Sequence, residues 1–250
     1  DFGTGLGSHA GVWECPDLMC FDYNGKTKWV LFVSINPGGP NGGSITQYFI
    51  GDFDGKRFKA DPLPYPLWVD EGVDNYAGVT FANTTDRTVF MGWMSNWVYT
   101  GQTPTMAFRN AMTLPRDLSL KSNGKHLILS SVPSPEVYAA RGAEKEVPAV
   151  SASQKLTVDP ILDQNKGAYE IDATIVPDSK GEFTMTLSNS KGENVVFKFD
   201  TKNQKLSLDR SKSGNVSFAP TFAEKPVVVN LNPRPEYKVK LFVDKLSTEL

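Results

Sequence analysis

Turn-forming dipeptides recur along this chain, at Asn24-Gly25, Asp54-Gly55, Asn123-Gly124, Lys180-Gly181, Lys191-Gly192 and Ser213-Gly214. Between them lie short runs of β-branched and aromatic residues, the pattern of strands joined by tight reversals. No long segment repeats apolar residues at helical spacing. Short strands with frequent turns restrict the chain to an all-β fold of the propeller, barrel or sandwich type.

The two halves differ in pattern. Early in the chain, Trp29-Val30-Leu31-Phe32-Val33-Ser34-Ile35 and Thr46-Gln47-Tyr48-Phe49-Ile50-Gly51-Asp52-Phe53 read as strong strands. Residues 139–148 lack period-2 alternation and read as a linker, with room for a short helical turn. Beyond them the strands have one dry and one wet face. Tyr169, Ile171 and Ile175 alternate with Glu170, Asp172 and Thr174, and Val239, Leu241 and Val243 alternate with Lys238 and Lys240. That is the pattern of a two-sheet sandwich. A domain boundary is therefore expected near residue 140.

Charge excludes several function classes. Lysine plus arginine (26) nearly balances aspartate plus glutamate (28), so there is no basic face for nucleic acid and no acidic tail. No run approaches the roughly 20 apolar residues of a membrane span. His9 and His126 stand alone, and Cys15 and Cys20 have no companions for zinc. In one continuous strand those cysteines would point to opposite faces, which disfavours a disulfide between them. The reading calls for no metal and no cofactor. The Gly- and Pro-rich stretch 36–43 lacks the lysine and following helix of a phosphate loop.

Trp13-Glu14-Cys15-Pro16-Asp17 places a carboxylate in an apolar, proline-stiffened corner. Partial loss of hydration to the Trp13 ring and Cys15 thiol would favour the protonated form, as a general acid requires. Pro16 should hold Cys15 extended. The alternative is a strand-end glutamate that faces solvent beside a core tryptophan.

Further motifs follow in order: Ser34-Ile35-Asn36-Pro37-Gly38, Asp70-Glu71-Gly72-Val73-Asp74-Asn75-Tyr76-Ala77, Gly92-Trp93-Met94-Ser95-Asn96-Trp97 and Thr113-Leu114-Pro115-Arg116-Asp117-Leu118. With the Glu-Cys-Pro motif, this series resembles the second half of the catalytic module of glycoside hydrolase family 32, the β-fructosidases (invertases, inulinases, levanases and fructan exohydrolases). The resemblance runs from about Gly11 to Ser134. It continues more weakly to the end, where Phe242-Val243-Asp244-Lys245-Leu246-Ser247-Thr248-Glu249-Leu250 is similar to a signature of the family's C-terminal sandwich.

The resemblance implies a five-bladed β-propeller followed by a β-sandwich. Five blades need roughly 300 residues, more than twice what precedes the linker. The expected organisation is the C-terminal part of a propeller at 1–138, a linker at 139–153 and a sandwich at 154–250, cut at both ends. The implied function is release of terminal β-D-fructofuranosyl residues from inulin, levan or sucrose, without cofactor. The loop at 36–43 and the hairpin at 51–55 are more similar to the inulinase and levanase branch. Location outside the cell, extracellular or periplasmic, is implied because polymeric substrates lie there. Oligomeric state is not implied.

Site residues follow from matched motifs. Glu14 matches the acid/base, and Cys15 its acid-tuning neighbour. Asn36 matches an asparagine that contacts the sugar beyond the scissile bond; the alternative is a turn residue before proline. Asp74 and Tyr76 match residues that bind fructose hydroxyls or hold the acid/base, with a core role as the alternative. Trp93 and Trp97 share strand parity, so one ring is expected on the pocket floor and the other in the core.

A retaining glycosidase needs a second carboxylate. The family's nucleophile lies in a Trp-Met-Asn-Asp-Pro-Asn motif and its transition-state stabiliser in an Arg-Asp-Pro motif. Neither occurs: Asp61-Pro62 and Asp159-Pro160 lack the flanks, and Arg116-Asp117 precedes Leu118. An inactive fragment, or a non-catalytic fructan-binding module, is the competing expectation.

Overall fold

The computed structural model describes residues 2–151, 155–158, 167–179 and 181–250. Asp159-Pro160, Lys180 of one turn dipeptide and residues 152–154 at the expected linker–sandwich junction lie outside the described residues. The chain divides into two compact units, Asp1–Arg141 with Phe218–Phe222, and Gly142–Ser217 with Ala223–Leu250. The fold is all-β, a partial propeller followed by a sandwich.

In the first unit, β1 (Val12–Tyr23), β2 (Lys26–Asn36), β3 (Ile45–Phe53) and β4 (Phe58–Ala60) form an antiparallel meander, and β5 (Leu67–Trp68) pairs with β3. A second meander runs through β6 (Tyr76–Thr80), β7 (Thr88–Met94), β9 (Arg116–Ser122) and β10 (Leu127–Pro133), with β8 (Ala111–Met112) beside β7. Asn24 and Gly25 take positive φ, +54° and +74°, and Tyr23 pairs with Lys26 across them. This two-residue reversal is the one its Asn-Gly dipeptide favours.

The apolar runs of β2 and β3 are buried on both faces. Met19, Val30, Phe32, Tyr48 and Ile50 pack from the first sheet against Phe90, Leu118 and Leu120 of the second. Phe32 and Phe90 meet edge to face at 5.5 Å. Burying each such side chain contributes about 1.5–3 kcal/mol. On the opposite face of the first sheet, Trp13, Phe2 and Tyr65 gather around Phe49. A five-residue helix, α1 (Pro135–Ala139), follows β10 and carries proline in its first turn.

The second unit pairs β16 (Tyr237–Val243) with β11 (Tyr169–Ile175) on one side and β17 (Thr248–Glu249) on the other. Its other sheet is β12 (Glu182–Ser188), β13 (Asn194–Asp200), β14 (Lys205–Lys212) and β15 (Val227–Asn230). Ile175, Val239 and Leu241 pack against Phe197 and Phe199 between the sheets. The period-2 pattern thus reports a real dry face. Among the described residues, no helix is long and apolar enough to cross a membrane.

Candidate active site

Two bulges shape the site. In β1 the register slips between Glu14, opposite Ser34, and Asp17, opposite Phe32. In β6 it slips between Tyr76, opposite Trp93, and Val79, opposite Met91. Each bulge holds a non-glycine residue at positive φ, Cys15 at +48° and Ala77 at +50°. Bulges re-aim side chains and are frequent beside functional clefts. The expectation that Pro16 keeps Cys15 extended is therefore corrected. The pairing on either side of the bulge overrides the local preference of a residue before proline.

The bulge also corrects the environment expected for Glu14. Trp13, opposite Ile35, turns its ring onto Phe49 and His9, and its indole N–H donates to Ser8 O at 2.8 Å. Glu14 follows it on the other face of the strand. The Trp13 ring cannot desolvate a carboxylate across the strand, and Glu14 is exposed.

Tyr76 supplies the contact that sequence reading left open. Its buried phenol donates to Glu14 Oε2 at 2.5 Å. Burial pushes that phenol well above its ordinary range, and the bond to Glu14 pushes it further. Tyr76 therefore remains a neutral donor at every ordinary pH. Below the bulge, Asp17 Oδ2 accepts from Thr80 N at 2.7 Å and from Thr80 Oγ1 at 2.8 Å. These bonds pin β1 to β6 and fix the approach of Glu14 to Tyr76.

Glu14, Cys15, Asn36, Tyr76 and Trp97 line one open cleft of about 410 Å³, with Val12 and Ala77 as apolar wall. Asp74 and Trp93 do not line it. Asp74 Oδ1 accepts from Tyr99 Oη beside the cleft. Trp93 packs against Trp97 at 5.3 Å and Tyr76 at 6.4 Å between ring centres. The shared-strand parity of the two tryptophans is corrected, because β7 ends at Met94 and Trp97 sits in the following turn. That turn leaves Trp97 57% exposed.

Two residues of this region gave no signal as site residues. Ser44 is buried at the end of a glycine-rich loop, and its Oγ donates to Asn36 Oδ1 at 3.0 Å. Asn96 is buried between Ser95 and Trp97 and bonds to three loops. Their positions beside Asn36 and Trp97 in space were the missing information.

Cys15 and Cys20 are both free and exposed. Asp61 accepts from Lys28 Nζ at 3.0 Å, and Asp117 Oδ1 accepts from Ser134 Oγ at 2.5 Å. Neither carboxylate lines the cleft. Among the described residues, no group of three or more His, Cys, Asp or Glu could hold a metal ion.

Comparison with known proteins joins this geometry to a family. Residues 1–131 match the glycosyl hydrolases family 32 N-terminal domain, and residues 136–250 match the family 32 C-terminal domain. The levanase of Bacillus subtilis is 37% identical across the whole chain, which covers 38% of that relative. The extracellular exo-inulinase of Aspergillus niger is 34% identical across the whole chain, which covers 49% of it. The crystal structure of exo-inulinase from Aspergillus awamori superposes with a TM-score of 0.82 at 29% identity, over 97% of this chain and 50% of that one. The chain thus spans about half or less of the length of these relatives. With both domains matched along nearly its full length, the chain belongs to glycoside hydrolase family 32.

Proposed function

We propose that this chain carries the acid/base side of a β-fructosidase site that releases terminal β-D-fructofuranosyl residues from fructans or sucrose. The observation that supports it best is the Tyr76-held carboxylate of Glu14 in a cleft shared with Asn36 and Trp97. The levanase and exo-inulinase names of the relatives point to the same substrates. The extracellular inulinase also points to action outside the cell.

In this reading, Glu14 gives its proton to the leaving oxygen while a second carboxylate attacks the anomeric carbon. Water then enters, Glu14 takes its proton, and the anomeric configuration is retained. Tyr76 holds Oε2, which restricts the carboxyl rotamer and assigns the transferred proton to Oε1. The exposed Trp97 ring offers a flat surface to the apolar face of a furanose. Asn36 offers an amide to sugar hydroxyls. Cys15 adjoins the carboxyl, and Asp74 keeps the start of β6 in place through Tyr99.

Retention needs carboxyl groups about 5–5.5 Å apart, and Glu14 is the one carboxylate lining the described cleft. The proposed nucleophile therefore belongs to the part of the family's length that this chain does not span. The same observation favours a second reading, a non-catalytic fructan-binding module. Fructose release from inulin, levan and sucrose separates them. Turnover by the protein carrying this chain, lost on Glu14→Gln, supports the first; saturable fructan binding with no turnover supports the second.

A further inference from the structure

Asn36 and Trp97 meet in the cleft from different sheets. Asn36 ends β2, and Trp97 lies in the turn after β7. Ser44 joins them. Its Oγ donates to Asn36 Oδ1 at 3.0 Å and accepts from the Trp97 backbone N–H at 3.0 Å. Ser44 is only 1% exposed, so water does not replace either bond.

A serine hydroxyl has one proton to give. The other acceptor in reach, Asn96 Oδ1, is at 3.5 Å, the far limit of a hydrogen bond. It already accepts from Ser44 N at 3.2 Å and from Val98 N at 3.1 Å. The proton therefore belongs to Asn36. With Oδ1 occupied, Asn36 presents its Nδ2 hydrogens to the cleft.

Asn96 holds Ser44 in place. It is 2% exposed, and its Nδ2 donates to Val73 O at 2.8 Å and to Gly42 O at 3.4 Å. One buried amide thus ties the 42–44 loop, the segment before Tyr76 and the Trp97 turn. The approach is close: a Cβ on Gly43, at φ +71°, would lie 2.1 Å from Asn96 Oδ1.

We propose that Ser44, anchored by Asn96, is a positioning residue that fixes Asn36 as a hydrogen-bond donor to a substrate oxygen and couples it to the Trp97 turn. This rests on the β-fructosidase reading. It predicts that the oxygen opposite Asn36 is recognised as an acceptor.

A double-mutant cycle tests it in the full protein, with kcat/KM on inulin as the readout. Ser44→Ala should lower kcat/KM by about three- to tenfold when Asn36 is present, the worth of one hydrogen bond. In an Asn36→Ala background the same change should cost less than about twofold. An equal loss in both backgrounds would mean that Ser44 merely supports the fold, and would overturn the proposal. If Ser44→Ala does not fold, Asn36→Asp takes its place. That variant keeps an acceptor for Ser44 but offers oxygen to the substrate, so it should lose at least as much as Asn36→Ala; wild-type kinetics would refute the orientation. Where the protein binds without turnover, the cycle is read as Kd for an inulin oligosaccharide. Absence of both turnover and binding removes the β-fructosidase reading and this proposal together, whereas an active protein with no coupling removes this proposal alone.

Discussion

Tyr76 Oη donates to Glu14 Oε2 at 2.5 Å across 62 positions of sequence. Two bulged strands converge to make that contact, and it holds the carboxyl of the proposed acid/base. Tyr76→Phe keeps the buried ring and removes only the donor. The expected result is a fall in kcat of about tenfold or more with a smaller change in KM. Because burial and the Glu14 bond push the phenol up, Tyr76 does not ionise in the working range. The variant should therefore lower the plateau of the pH–rate profile without moving its alkaline limb through a phenol titration.

Tyr65 makes a separate pH prediction. Its hydroxyl donates to Ile50 O at 3.0 Å and accepts from Ile50 N at 3.2 Å. Burial pushes its phenol from 10.0 to about 12. The unfolded chain releases this proton first, so the contribution to stability is complete below pH 10 and is lost as pH rises toward 12. Tyr65→Phe should flatten the fall in denaturation midpoint between about pH 10 and about pH 12. An unchanged slope would assign alkaline sensitivity to other groups.

Phe90 is fully buried and meets Phe32 of the neighbouring sheet. Phe90→Ala should cost about 3–5 kcal/mol by equilibrium denaturation. A cost below about 1 kcal/mol would mean that the two sheets of the first unit repack without it.

Gly11 tests how tightly the cleft wall is built. A Cβ there would lie 2.2 Å from Pro37 O and 2.4 Å from Asn36 O, backbone atoms that cannot rotate away. Gly11→Ala should cost at least about 1–3 kcal/mol and raise KM by displacing Asn36. Gly142→Ala, with nothing within 4 Å of the new methyl, should change neither quantity.

Much of this architecture was legible because its signals are local. Asn24-Gly25 dictates a two-residue reversal, and the alternation through Val239 and Leu241 marks a dry face that the second unit buries. The motifs around Glu14, Asn36, Tyr76 and Trp97 brought forward residues that share one cleft. What was not legible depends on partners distant in sequence. The left-handed backbone of Cys15 follows from pairing on both sides of a bulge, against the preference of its own dipeptide. The separate faces of Trp13 and Glu14 follow from strand alternation, which their adjacency in sequence conceals. Ser44 reads as loop punctuation until Asn36 and Trp97 are seen on either side of its hydroxyl.

The most direct test of Glu14 as acid/base compares inulin with an activated aryl β-fructofuranoside, in wild type and Glu14→Gln. The aryl group leaves without protonation, whereas the sugar oxygen of inulin does not. With Glu14 as the proton donor, kcat on inulin should fall by about 10²- to 10⁴-fold, with a far smaller loss in the fructose-transfer step for the aryl substrate. Equal losses on both substrates, or unchanged turnover of inulin, would contradict Glu14 as the proton donor.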